Sequence, residues 1–370
     1  MPEAPSVLVL RGESTALALA EAQALGFQTH ERHGRLAIGA HAANLGVAAG
    51  IDAILDEGGL VPWTSNEALI AHLGEHVRPK HGRVCVRVER LGGRMGESST
   101  QAIARGLGGH LHDAGCTIDL EQPEHVLCVF LDATSQRVGW GWDVTRTERH
   151  GIGARRAGER PFFRPVSLDP HLARTAVNLA LGSRDGVVLD AMTGTGGFLL
   201  EAALMGHDTV AMDLDPMMVD GASANLEWAL EGRARRASVV LGDATALPTS
   251  LPESAQGRIA GLVLDPPYGR NSHGSHGPWD LLARVLASAT EVVGQHGAGC
   301  CLILPVKPFA MEEDGSVLGS TEVEPLHGAW SDVVNLFEAS PWELAAERWS
   351  VRVHGSLARL ILHATCAPPS

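Results

Sequence analysis

The sequence predicts an α/β protein with a C-terminal doubly wound parallel sheet and smaller α+β units ahead of it. Three observations carry this. Four short apolar runs end in aspartate, at Asp190, Asp213, Asp243 and Asp265, with helical stretches between them. The first run opens into a glycine-rich turn, Thr193-Gly194-Thr195-Gly196-Gly197, that leads into an apolar helix. Ahead of residue 147, further strand-like and helix-like stretches alternate.

Residues 1–57 form a small α/β unit such as a ferredoxin-like layer. SVLVLRG is a strand, STALALAEAQALG an Ala-rich helix closed by Gly26, RLAIGA a second strand, and residues 45–55 a second helix of small residues. This unit holds no constellation that carries chemistry, so packing or spacing is its expected role. Residues 58–146 make the next unit. Thr64 or Ser65 caps a helix over TSNEALIAHL. HGRVCVRVERL is a strand with Arg83, Arg87 and Glu89 on the face opposite Val84, Val86 and Val88. Ser98 or Ser99 opens a helix that Gly115 stops, and TIDLEQPEHVLCVFLDA and QRVGWGWDVTR are further strands.

Residues 147–165 are rich in Gly, Arg and Pro without an apolar period, which predicts an inter-domain linker. Its arginines, among them Arg149, Arg155 and Arg156, are candidates to track phosphates. Phe162 and Phe163 at its end are expected to pack against the domain downstream, with Phe163 a candidate beside the cofactor.

Residues 166–370 hold the chemistry. Asp169 and Pro170 start a helix. The strand GVVLD ends at Asp190, whose carboxylate can accept from the glycine turn. DTVAMDLD ends at Asp213 with Leu214 following, about 20 residues on, where a carboxylate can hold ribose hydroxyls. A dinucleotide fingerprint would want a third small residue at 199, and Leu199 stands there, so a nicotinamide oxidoreductase is disfavoured. SVVLGDATALP ends at Asp243 and Ala244, placed to accept from an adenine amino group. GCCLILPV is a fifth strand, and VRVHGSLARLILHA a closing strand or hairpin with Gly355 at the bend.

The fourth acid-ended strand is the most informative. IAGLVL runs into Asp265-Pro266-Pro267-Tyr268, and Tyr268 is the one tyrosine of the chain. Two prolines remove two donors and fix φ twice, so the chain leaves the strand stiff. A carboxylate, bare carbonyls and a ring can then grip a flat group bearing an exocyclic NH2, the acceptors taking its N–H bonds and the ring stacking on its face. A Pro-rich turn after a strand is the plain alternative. The four ends together have places for methionine, ribose, adenine and an amine-bearing substrate.

Composition bounds the rest. Hydrophobic residues make up 45% of 370, as in folded domains rather than disordered chains. No apolar run approaches a membrane span and no leader pattern opens the chain, so a cytoplasmic protein without membrane contact is expected. The six cysteines contain no C-x-x-C and fit buried free thiols. His273 and His276 lack nearby Cys or carboxylate ligands, so no metal is expected, and there is no G-x-S-x-G elbow. Net charge is −14, but residues 78–164 hold 14 Lys+Arg against 10 Asp+Glu, while the remainder holds 15 against 33. Phosphates respond to the local field, so this middle third is the candidate RNA surface.

The Asp-Gly-rich turn, the acidic second strand, Gly-Asp-Ala and Asp-Pro-Pro-Tyr resemble the amino-group methyltransferases that use S-adenosylmethionine. With FFRPVSLDPHLAR, LLEAALMG and VHGSLARLI, the chain over about residues 80–370 resembles the archaeal tRNA (guanine-10 N2)-methyltransferases. The resemblance implies a Rossmann-like catalytic domain at 166–370, S-adenosylmethionine as cofactor and tRNA as partner. It also implies a THUMP-like RNA-binding domain at 58–146, with Arg83, Arg87, Arg90 and Arg94 as contacts. Ala191-Met192 departs from the family, which more often has Pro and an aromatic residue or Cys there. Adenine N6 or cytosine N4 as the acceptor, and a non-catalytic RNA-binding subunit, stay open as alternatives, as do a monomer and an accessory protein partner.

Overall fold

The computed structural model describes residues 5–12, 14–40, 44–144, 149–164, 167–233, 236–266, 278–309 and 311–368. The chain divides into two compact units, Met1–Gly46 with Gly50–Thr147, and Glu148–Ser370 with Val47–Ala49.

In the first unit β1 (Ser6–Leu10), α1 (Thr15–Ala24), β2 (Gln28–His33), β3 (Leu36–Ala40) and β4 (Ile51–Pro62) are followed by α2 (Asn66–His76) and β5 (Arg83–Leu91). Then come α3 (Thr100–Asp113), β6 (Thr117–Ile118), β7 (His125–Asp132) and β8 (Arg137–Asp143). All eight strands share one sheet in the order β2-β3-β1-β4-β8-β7-β5-β6. Ser65 and Ser99 cap α2 and α3, each accepting a backbone N–H at 3.2 Å. Leu69, Leu73, Ile103, Leu107 and Leu111 of those helices bury against Val84, Leu127 and Val129.

Two expectations fail here. The stretch 45–55 is no helix: a 3-10 turn at Leu45–Val47 gives way to β4. β4 lies between β1 and β8 and bonds to both, and that pairing decides its state over the local helix preference of the small residues around it. Because β4 runs through residues 57 and 58, the expected boundary between two front units falls inside a strand.

The second unit opens with α4 (Arg149–Gly153) and α5 (Pro170–Leu181), then β9 (Val187–Asp190), α6 (Gly197–Leu204), β10 (Thr209–Asp213) and α7 (Pro216–Leu230). It continues through β11 (Ala237–Leu241), α8 (Leu247–Ser250), β12 (Ile259–Leu264), α9 (Pro278–Thr290), β13 (Ala298–Val306), α10 (Trp330–Glu338), β14 (Trp342–His354) and β15 (Leu357–Cys366). The sheet order is β11-β10-β9-β12-β13-β15-β14. The first five strands are parallel, and β15 runs antiparallel to both its neighbours, β13 and β14; the strand order places the point where the winding reverses between β9 and β12. Ligands of open α/β sheets sit at the carboxyl ends beside such a point. Two of the long helices that lead from that edge begin with Asp-Pro: Asp169 caps α5 and Asp215 caps α7, each accepting the N–H two residues on at 2.9 Å. β12 is buried along its whole length, as a strand covered by helices on both faces must be.

The segment expected as a linker belongs to this unit. Arg155 donates to both oxygens of fully buried Glu201 at 2.8 and 2.9 Å, and Arg174 donates to Glu201 Oε2 at 2.8 Å. Gly, Arg and Pro content alone therefore misread a stretch that is anchored by buried charge.

Candidate active site

The glycine turn is held from below by carboxylates. Asp190 is 1% exposed at the end of β9, and its Oδ2 accepts from Thr193 Oγ1 at 2.7 Å and from the Leu199 N–H at 3.3 Å. Burial pushes its pKa up to about 7, against the lowering effect of those two bonds; the charges of Asp213 and Asp265 push the same way as burial. Asp213, at the end of β10, accepts the Gly194 N–H at 2.9 Å and the Asp215 N–H at 3.0 Å. Gly194 and Gly196 take φ of +50° and +81°, which a side chain would strain, and α6 starts directly behind them. Thr193 N–H donates to the Met212 carbonyl at 2.8 Å, tying the turn to β10.

Above the turn lies a cavity of about 530 Å³. Of the residues expected from sequence it brings together Thr193, Gly194, Thr195, Gly197, Asp265 and Pro266. Asp190, Asp213 and Gly196 stand just behind its wall as supports of the turn. The sequence reading missed several other lining residues, among them Arg164, Met192, Met218, Pro305, Leu357 and Arg359. Arg359 could have been suspected, since it is a charge inside the apolar run LARLIL.

Asp265 continues β12 and is half-buried. Burial pushes its pKa up to about 6, and the positive charge of Arg359 pulls it back down. Arg359 lies on β15 opposite Pro305 of β13 and faces the same cavity. Among the described residues no hydrogen bond occupies the Asp265 carboxylate. Pro267 and Tyr268 lie outside the described residues.

Other expected cofactor residues are placed elsewhere. Phe163 is 55% exposed and not part of the lining; it is Phe162 that packs, its ring filling the space above Gly221 of α7. Buried Asn225 fixes this strap by donating to the Phe162 carbonyl at 2.7 Å and the Thr195 carbonyl at 2.9 Å. Leu214 is 67% exposed at the end of β10, outside the lining. Asp243 accepts from Thr245 N and Oγ1, both at 2.8 Å, and the Ala244 side chain is in the core.

Of the expected RNA contacts, Arg83 is bonded to Glu124 at 3.4 Å and stands 3.7 Å from Asp119. Arg90 donates to the Ser98 carbonyl at 2.9 Å, while Arg87 and Arg94 are exposed. Arg155 is committed to Glu201 and cannot track a phosphate without leaving a buried carboxylate unpaired; Arg156 is exposed. The side chain of Arg149 lies outside the described residues. Among the described residues there is no cluster of His, Cys, Asp and Glu fit to hold a metal, and all six cysteines are buried and free.

The residues present fit S-adenosylmethionine: a glycine turn with backbone approach, an acid at the end of the second strand and an apolar-walled cavity of nucleoside size. The winding of the sheet, reversed between β9 and β12, and the glycine turn at the carboxyl end of β9 give the second unit a Rossmann-like fold. The chain matches the UPF0020 family model, described as the RMKL-like methyltransferase domain, over residues 157–312. It is 33% identical over 187 residues to the tRNA (guanine(10)-N2)-dimethyltransferase of Pyrococcus abyssi, covering 50% of this chain and 54% of that protein. It is 29% identical over 221 residues to the protein of the same name from Methanothermobacter thermautotrophicus, covering 60% of this chain and 62% of the relative. The chain thus spans about half to three-fifths of the length of these curated relatives. Among solved structures, TrmN from Thermus thermophilus aligns over 97% of this chain and 99% of its own, with TM-score 0.48 and 19% identity.

Proposed function

We propose that the chain transfers a methyl group from S-adenosylmethionine to the exocyclic N2 amine of a guanine in tRNA, with guanine 10 taken from the names of its relatives. The observation that carries this reading is the meeting of Asp265 and Pro266 with the glycine turn of residues 193–197 in one cavity. The bound cofactor supplies an electrophilic methyl on a sulfonium. An exocyclic N2 shares its lone pair with the purine ring and is a poor nucleophile. The Asp265 carboxylate and the Pro266 carbonyl accept its two N–H bonds, which favours a pyramidal nitrogen and aims the lone pair for in-line attack. The carboxylate also stabilises positive charge growing on N2 and is at hand for the proton released once the N–C bond has formed. With its pKa pushed up to about 6, Asp265 is ionised at neutral pH.

Tyr268 is assigned to the face of the flipped base, and the exposed Arg87, Arg94 and Arg156 to tRNA phosphates. A monomethylated amine keeps one N–H, so a second transfer at the same nitrogen is open to this site. The proposal is tested by labelled methyl transfer to unmodified tRNA with nucleoside analysis of the product. N2-methylguanosine species are expected; label on adenine or cytosine would replace guanine as the acceptor.

A further inference from the structure

Arg160 is 4% exposed, and its Nε donates to the Arg155 carbonyl at 2.8 Å. Its Nη1 and Nη2 are buried with no hydrogen-bond partner among the described residues. The nearby acid, Glu201, already receives the half-buried Arg155 and Arg174, so three guanidinium groups share one fully buried carboxylate. An arginine left in that state is costly unless something else completes it. Burial lowers the Arg160 pKa, and the Glu201 charge counters part of that.

What borders the orphaned end is Gly197, the first residue of α6, whose helix-start dipole adds a further positive field. A Cβ built on Gly197 would stand 3.9 Å from Arg160 Nη1 and 3.7 Å from Leu168 Cβ, with no closer neighbour. Gly197 and Leu168 both line the cavity. Arg160 itself does not line the cavity, and Gly197 is a lining residue that adjoins its unpaired Nη1.

On the cofactor reading given above, we propose that Arg160 is the counter-charge for the α-carboxylate of S-adenosylmethionine, reached across Gly197. The glycine turn receives the amino-acid end of the cofactor, and the Arg160 guanidinium balances its negative charge. Glu201, Arg155 and Arg174 hold Arg160 in place, because the Arg155 carbonyl that anchors its Nε belongs to the residue clamped on Glu201. Gly197 is required for the absence of its side chain.

The test compares two ligands on the full chain by titration calorimetry. S-adenosylhomocysteine carries the carboxylate; its decarboxylated form, S-adenosyl-3-thiopropylamine, keeps the adenosine and the amine without it. In Arg160→Met, S-adenosylhomocysteine affinity is expected to fall roughly ten- to hundredfold, as for loss of a charged hydrogen bond, while the decarboxylated ligand changes less than about twofold. Arg160→Lys recovers part of the loss. Gly197→Ala gives a second variant whose Cβ meets no close neighbour; it is expected to weaken S-adenosylhomocysteine selectively with the unliganded melting temperature unchanged. Parallel weakening of both ligands in both variants, or unchanged S-adenosylhomocysteine affinity, overturns the assignment. Failure of the unaltered protein to bind either ligand overturns the cofactor reading itself.

Discussion

The two halves of the sheet edge end alike in sequence and differ in what their carboxylates do. On the β9–β10 side, Asp190 and Asp213 are tied to the backbone and hydroxyl of the glycine turn, accepting from Thr193, Leu199, Gly194 and Asp215. On the β12 side, Asp265 has no such bonds among the described residues and faces the cavity with Arg359 as its balancing charge. An acid whose lone pairs are occupied by its own chain shapes a binding turn. An acid left with open lone pairs at a cavity wall can hold a substrate amine. Hydrogen bonding thus separates carboxylates tied to their own chain from one that faces the cavity, which a shared strand–Asp pattern cannot do.

The largest effect should come from Asp265. Asp265→Ala is expected to lower kcat of methyl transfer about 10³-fold or more, the scale of losing alignment and charge stabilisation together, with S-adenosylhomocysteine affinity changed less than about twofold. Equal loss of both would place Asp265 with the supporting acids and dissolve the contrast. Next in size, Glu201→Ala leaves the Arg155, Arg174 and Arg160 cluster without its counter-charge, and should cost about 3–5 kcal/mol in denaturant unfolding. A loss under about 1 kcal/mol would mean the cluster is solvated and that the segment 149–164 is the linker its composition suggests.

A pH profile sharpens the same comparison. Asp265 must be ionised to accept the amine, so single-turnover rates should fall as pH drops through about 6, in line with its raised pKa. Arg359→Met removes a charge that favours the ionised form, so the acid limb should move to higher pH, and Arg359→Lys should bring it back. An unmoved limb would show that Arg359 does not act on Asp265. The smallest effect concerns Asp190, whose folded pKa is raised to about 7 from the usual carboxylate range. A raised acid pKa stabilises the folded state at low pH, and this stability is lost as pH rises from about 4 through 7. Asp190→Asn should therefore gain about 1 kcal/mol over the unaltered protein at pH 8, with the gain vanishing near pH 4, read by thermal unfolding. A loss at both pH values would mean that the Thr193 and Leu199 bonds outweigh the burial of charge.

The seven-stranded sheet was legible because its parallel strands are continuous apolar runs with acidic ends, and a fully buried parallel strand can hardly be written otherwise. The Asp-Pro starts of α5 and α7 were legible for a local reason, since cap and first turn are neighbours in sequence. β4 was missed because its small residues suit either state and only its partners β1 and β8 decide. Arg155 was misjudged, and its buried partner Glu201 missed, because ion pairing across 46 residues leaves no periodicity to read. Phe162 and Phe163 stand side by side, and the choice between them rests on Gly221 offering room to one ring.

By itself the sequence determined the acid-ended strands of the seven-stranded sheet and the glycine bend, because these depend on near neighbours along the chain. The tertiary structure decided which acids are committed to backbone bonds, that Arg359 shares a cavity with Asp265, and that Arg160 is buried unpaired behind Gly197. Those are properties of charges brought together from distant positions, and burial and bonding between distant groups are settled only when the chain has folded.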